Sequence, residues 1–241
     1  MARLDRMADA KDVAQVGAVL GREFAPELLT AVWPFEPGTL QQGLIKLVRA
    51  ELLFRRGVGV QEKYVFKHAL IQDIAYESLL KATRQQYHQR IAETLERDFT
   101  RIAETQPETL AQHYMTAGLA EKAIPWLQRA GQRAIERSAH TEAIGHLNQG
   151  LLLVRTLPET ERRDKLELSL QIAIGAPLIA ARGYAAADVE CAFLRARELC
   201  GPAVGPGTRF RAQWGLGAFS LVRARLAAAR NLLEECLELA H

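Results

Sequence analysis

The chain has 241 residues, 49% of them hydrophobic and 24% charged, which is ordinary for a globular protein with room for one or two cores. Its formal net charge of +3 is too small, and its acids and bases too interspersed, to mark a nucleic-acid-binding arm or an adaptation to an anionic membrane. Three cysteines, Cys191, Cys200 and Cys236, form no CxxC pair and fit small reduced thiols better than a disulfide framework. The opening MARLDRMADAKD is charged and has no apolar stretch, so it is no secretory signal. The longest uncharged run, which contains Ser169–Ala181, falls short of the roughly 18–20 residues of a membrane span. A cytoplasmic protein is the expectation that remains.

In chain order, Asp12–Leu20 places Val13, Val16 and Leu20 at helical spacing, and Gly21 closes it. Pro26–Val32 reads as a second short helix with proline in its first turn. WPFEPG makes a turn, and Thr39 is expected to cap a third helix, Leu40–Leu52, with Leu44, Leu47 and Val48 on one face. The period then changes. LLFRR and KYVFK read as strands joined by the Gly-rich GVGVQE. The strand-like Tyr64–Phe66 runs through His68 into an amphipathic helix, ALIQDIAYESLL, whose expected buried stripe is Leu70, Ile74 and Leu79. Three helices followed by a β-hairpin is the order of a winged helix, a variant of the helix-turn-helix motif.

From about Arg84 to the end the composition is helical. Leu127, Ala130, Gly131, Ala134, Ala143, Leu147 and Gly150 follow the tetratricopeptide pattern, with small residues where two helices must approach closely. Ser138–Thr141 reads as the end of one helix and the cap of the next. Further hairpins pair Asp164–Arg182 with Ala185–Cys200, and Thr208–Val222 with Arg225–Ala240; Gly183 and GPAVGPG mark the breaks. The spacing is nearer about 40 than the standard ~34 residues, so the array is tetratricopeptide-like, and an irregular helical bundle is the alternative. The fold expected is mainly α: a winged-helix module with a small β-hairpin over 1–82, then tetratricopeptide-like helical repeats over 83–241.

The chemistry of common enzymes is missing from the sequence. No Gly-Lys dipeptide occurs, so no G-x-x-x-x-G-K-[ST] loop can cradle phosphates. HExxH, paired CxxC and GxSxG are also absent. Glu142 and His146, four apart on one helix, lack a third metal ligand, and Ser138, His140 and Glu142 are too close in sequence for a triad. His68 is the candidate that remains, the alternative being a residue that merely satisfies backbone groups at the strand-to-helix corner. A helix N-terminus offers free amides and partial positive charge to an anion, and an imidazole there can donate to the same oxygen and titrate near neutrality. A rival is DNA binding by the third helix, whose Gln41, Gln42, Lys46 and Arg49 could reach base edges and phosphates. Two cations plus Arg55 and Arg56 are a thin supply for phosphate contacts, which argues against nucleic acid as the partner.

Several long phrases resemble STAND-class signalling ATPases, the type linked to bacterial class III adenylate and guanylate cyclases. MARLDRMADAKDVAQVGAVLGREF, with its LDRM lead-in, is similar to the junction leaving their ATPase core. FKHALIQDIAYESLL is similar to their wing-to-helix phrase. LAQHYMTAGLAEKAIPWLQRAGQRAIERSAHTEAIGHLNQGL resembles the start of their helical repeats, and GAPLIAARGYAAADVECAFLRARELC a later hairpin. The resemblance implies a nucleotide-sensing role for His68, which matches the histidine of a Met-His-Asp type motif. Phe66 and Lys67 differ from the residues before that histidine, and Ala69 stands where the aspartate would be. It implies a non-catalytic regulatory part that reports the ATP or ADP state of an ATPase core and carries a protein or small effector on its repeats. The chain itself would hold no cofactor; ATP or ADP belongs to the core, whose motifs have no counterpart here. A start inside a lead-in phrase and a stop within a hairpin lead to the expectation of a truncated product or gene fragment.

Overall fold

A computed structural model describes residues 8–57, 59, 62–201 and 204–240. The LDRM lead-in, Val58, Val60 and Gln61 of the Gly-rich turn, and Pro202 and Ala203 of GPAVGPG lie outside the described residues. The chain divides into two compact units, Met1–Ala103 with His113–Leu119, and Glu104–Gln112 with Ala120–His241. Both are mainly helical, and a small antiparallel sheet belongs to the first.

In the first unit the order is α1 (Ala8–Leu20), β1 (Glu23–Phe24), α2 (Pro26–Val32), α3 (Pro37–Arg49), β2 (Leu53–Arg56), β3 (Lys63–Phe66), α4 (Ala69–Glu77) and α5 (Lys81–Asp98). Gly21 ends α1 at φ +135°, a conformation that L side chains rarely adopt, and its N–H returns to Gly17 O at 3.1 Å. β3 is the central strand: Glu23 and Phe24 pair with Val65 and Tyr64 on one side, and Leu53–Arg56 pair with Phe66–Lys63 on the other. The sheet is closed onto α1 by aromatic packing. The ring of Phe24 meets Phe66 edge-on at 5.9 Å, and a Cβ on Gly17 would stand 2.8 Å from it, so only glycine lets α1 come this close. Val13, Leu29, Leu47, Leu53 and Phe66 complete the buried core.

Three expectations about this unit need correction. α3 starts at Pro37 with Glu36 as its N-cap residue, so Thr39 lies inside the first turn, where its hydroxyl donates to Glu36 O at 2.6 Å. Val48 is exposed, while Leu44 and Leu47 are buried, because Val48 falls on the flank of the stripe. Leu70 is 67% exposed; α4 turns Ala75 inward, and Leu79 is buried just beyond the helix.

α6 (Thr100–Thr105) and α7 (Pro107–Thr116) follow. From Ala120 on, the second unit is three helical hairpins: α8 (Ala120–Glu136) with α9 (His140–Val154), α10 (Glu161–Arg182) with α11 (Ala187–Leu199), and α12 (Pro206–Val222) with α13 (Leu226–Ala240). Leu127, Ala130, Ala134, Ala143 and Leu147 are each no more than 2% exposed. Glycines set the close approaches between successive helices. A Cβ on Gly131 would meet Leu147 Cγ at 2.8 Å, and one on Gly150 would meet Leu170 at 3.1 Å. The buried ring of Phe193 is wedged against both Gly175 of α10 and Gly215 of α12, so one α11 side chain joins two hairpins. Ser138 does not cap: it ends α8 at φ +58°, and Ala139 precedes α9 without a side-chain cap. Thr160 does cap, accepting from Arg163 N at 3.2 Å at the start of α10.

Candidate functional site

His68 is the N-cap residue of α4, at φ −134° and ψ 142°, and its imidazole makes no cap hydrogen bond. The side chain is exposed. β3 delivers it to this corner, where Lys67 N donates to Leu52 O at 3.1 Å and His68 O accepts from Ile71 N at 3.0 Å. α4 is pinned from behind: Gln72 Nε2 donates to Ala18 O at 3.2 Å, and Gln15 Nε2 donates to Ser78 Oγ at 2.8 Å. Beside His68, the Lys67 ammonium lies over the Phe54 ring at 5.5 Å and pairs with Glu51 at 2.6 Å. The exposed corner thus offers an uncommitted imidazole at a helix N-terminus, with the exposed Leu70 two residues further along the chain.

Gln41, Gln42, Lys46 and Arg49 are all exposed along α3. Ile45 and Val48, also exposed, interrupt them. The cations of the neighbouring hairpin are mostly committed to acids: Arg55 to Glu62 at 2.6 Å, Lys63 to Glu23 at 2.7 Å and Lys67 to Glu51. The Arg55 guanidinium is held more basic by its hydrogen bond to Glu62. Such a surface spends its positive charge internally and shows apolar side chains where a phosphate backbone would want cations.

A second arrangement in this unit was not anticipated from sequence. His88 on α5 and His113 on α7, 25 residues apart, face each other Nδ1 to Nδ1 at 2.8 Å, and His88 Nε2 meets Tyr76 OH at 3.0 Å. Both imidazoles are buried. Burial, with the nearby Arg84 charge, lowers the His88 pKa to about 4; burial, with His88, lowers that of His113 to about 3. Only one of the facing Nδ1 atoms can carry the shared hydrogen, so the two rings cannot both be charged while the bond holds. No motif spacing signals this pair, because the contact depends on how α5 and α7 pack.

In the second unit, exposed Glu142 pairs with Arg137 at 3.1 Å and lies 3.6 Å from the half-buried His146 imidazole. Among the described residues no group of three or more His, Cys, Asp or Glu side chains could hold a metal ion. A cavity of about 610 Å³ opens along the first helices of the three hairpins. Its apolar floor includes Leu168, Ile172 and Ala176 of α10, and Lys165, Arg211, Gln128 and Gln132 provide the polar rim. The lining contains two cations and no carboxylate. Pro177 has no N–H, so the carbonyl of Ala173, a lining residue, lacks its usual helical donor. A helical stripe was the available signal: Lys165, Leu168, Ser169, Ile172 and Ala176 recur at intervals of three and four.

Among the described residues, no helix is long and apolar enough to cross a membrane. An uncharacterized protein of Rhizobium meliloti (strain 1021) is 28% identical to this chain over 98% of its length. The chain spans only 24% of that relative's length. No family model and no solved structure matches.

Proposed function

We propose that the chain is the non-catalytic regulatory and protein-interaction part of a STAND-type signalling ATPase. In this reading residues 1–82 form a winged-helix module that packs on an ATPase core and reports its ATP or ADP state. Residues 83–241 form a tetratricopeptide-like scaffold that holds a protein or small effector. The observation that carries the reading is His68, an exposed imidazole without a hydrogen-bond partner among the described residues, at the N-terminus of α4. There a phosphate oxygen would meet backbone amides, the positive end of the helix dipole and one further donor. Support also comes from the order of three helices and a hairpin in the first unit, and from small residues at the hairpin crossings of the second. The cavity along α8, α10 and α12 is the natural seat for the effector. A cytoplasmic, bacterial signalling protein fits this reading.

The experiment compares ATP and ADP binding by the full-length protein with and without His68→Ala. Weaker discrimination, with unchanged melting of this chain, is the expected result. Unchanged discrimination together with unfolding would make His68 a structural corner and defeat the proposal. A winged-helix DNA-binding regulator is the second reading, favoured only by the exposure of Gln41, Gln42, Lys46 and Arg49. The paired cations of the hairpin weigh against it.

A further inference from the structure

A second cavity of about 550 Å³ lies in the groove bounded by α9, α10 and α11. Each helix contributes one stripe at intervals of three or four residues: Leu151 of α9 with Arg155 at its C-cap, Arg163, Glu167, Gln171, Ile174, Leu178 and Arg182 from α10, and Asp188, Cys191 and Arg195 from α11. The α10 stripe is distinct from the one that floors the other cavity, so α10 stands between two separate hollows.

The charges in this second cavity do not balance. Four guanidinium groups face two carboxylates. Both carboxylates are already engaged: Glu167 takes Arg195 Nε at 2.6 Å and Nη2 at 3.0 Å, and Asp188 pairs with Arg182. The Arg195 hydrogen bond holds the Glu167 carboxyl below its ordinary range, as a committed pair requires. Arg155 is exposed and has no acidic partner among the described residues. Arg163 pairs with the outlying Glu159 at 3.2 Å and adds its charge to that of Arg195 beside Glu167, while its Nε is buried and meets no acceptor. An orphaned buried donor is rare in folded proteins and calls for an acceptor. Thr160, the cap of α10, accepts from the Arg163 backbone and so fixes where that side chain begins.

We infer that this groove is a binding site for a small organic phosphate, its anionic head held between Arg155 and Arg163. Two guanidinium groups with donors to spare match a dianion, and the guanidinium fork fits tetrahedral oxyanions better than a point charge would. The cavity volume lies in the range of small-molecule sites, larger than an inorganic ion needs, and Leu151, Ile174 and Leu178 supply apolar walls for the rest of the molecule. This site is separate from the effector seat proposed above and does not depend on that reading.

Cys191 lines the groove and is exposed, so it serves as a built-in reporter, with the half-buried Cys200 as an internal reference. The 241-residue protein is titrated with inorganic phosphate, then with glycerol 3-phosphate, at constant ionic strength. Iodoacetamide modification is read at each cysteine by peptide mass spectrometry. The expected result is a saturable slowing at Cys191 of about fivefold or more, with Cys200 unaffected and glycerol 3-phosphate saturating at lower concentration. Arg155→Gln and Arg163→Lys should each raise the midpoint about tenfold or more, whereas Arg223→Gln, exposed and outside both cavities, should leave it unchanged. Arg155 is exposed, so its variant reports even if the Arg163 variant is less stable. Slowing that follows ionic strength without saturating, an unchanged midpoint in Arg155→Gln, or protection by succinate but not by phosphate would overturn the assignment.

Discussion

The paired imidazoles of His88 and His113 make the first unit acid-sensitive. In the folded state both titrate well below the ordinary value near 6.5, because burial penalises the imidazolium. The unfolded chain therefore binds more protons between about pH 6.5 and 3, and linkage makes stability fall as the pH drops through that window. Above pH 6.5 the contribution is fully present. Between pH 7 and 5 the loss should be on the order of 2–4 kcal/mol for the pair. Thermal melts at the two pH values measure it. A His88→Leu, His113→Leu double variant, which removes both partners together, should lose most of the drop. An equal drop in the double variant would place the acid sensitivity elsewhere. Glycine carries a comparable constraint: Gly175→Ala would force its methyl into the Phe193 ring. Overpacking of this kind costs about 1–3 kcal/mol, readable as a lower urea midpoint.

At the scale of elements, the repeats depend on close helix pairs. Ala143 is fully buried, so Ala143→Glu should cost about 3 kcal/mol or more, since its charge would have no partner. Trp126→Ala should cost roughly 3–5 kcal/mol, because the ring is 6% exposed and also carries the Arg129 guanidinium at 4.4 Å. Urea melts decide both, and a wild-type midpoint for Ala143→Glu would refute the packing. These hairpins were legible in sequence because small residues recur at helical spacing and Gly183 and GPAVGPG mark the breaks before α11 and α12. β1 was not legible: two residues show no alternation, and its partners Tyr64 and Val65 lie about forty positions away. The start of α3 was misread because a proline at the first helical position outranked the later threonine as a signal. His68 could be placed at its corner from the change of period alone. The His88–His113 pair and the arginine-lined groove could not, since residues on separate helices meet only through packing.

For the whole molecule, the proposed function separates regulation from catalysis. The chain alone should show no ATPase or cyclase turnover above background, and turnover that survives purification and is lost with His68→Ala would contradict this. In a gel shift at low salt the protein should bind DNA at most weakly, without sequence preference, and with a steep salt slope. A reproducible preference at physiological salt would promote the Gln41, Gln42, Lys46 and Arg49 face to a reader of bases. The most direct test of the central claim is nucleotide titration of the full-length protein carrying His68→Ala. The account predicts that discrimination between ATP and ADP weakens by about 1–3 kcal/mol, the worth of a charge-assisted hydrogen bond, while this chain melts as before. Discrimination equal to wild type, in a protein that still binds nucleotide, would contradict it.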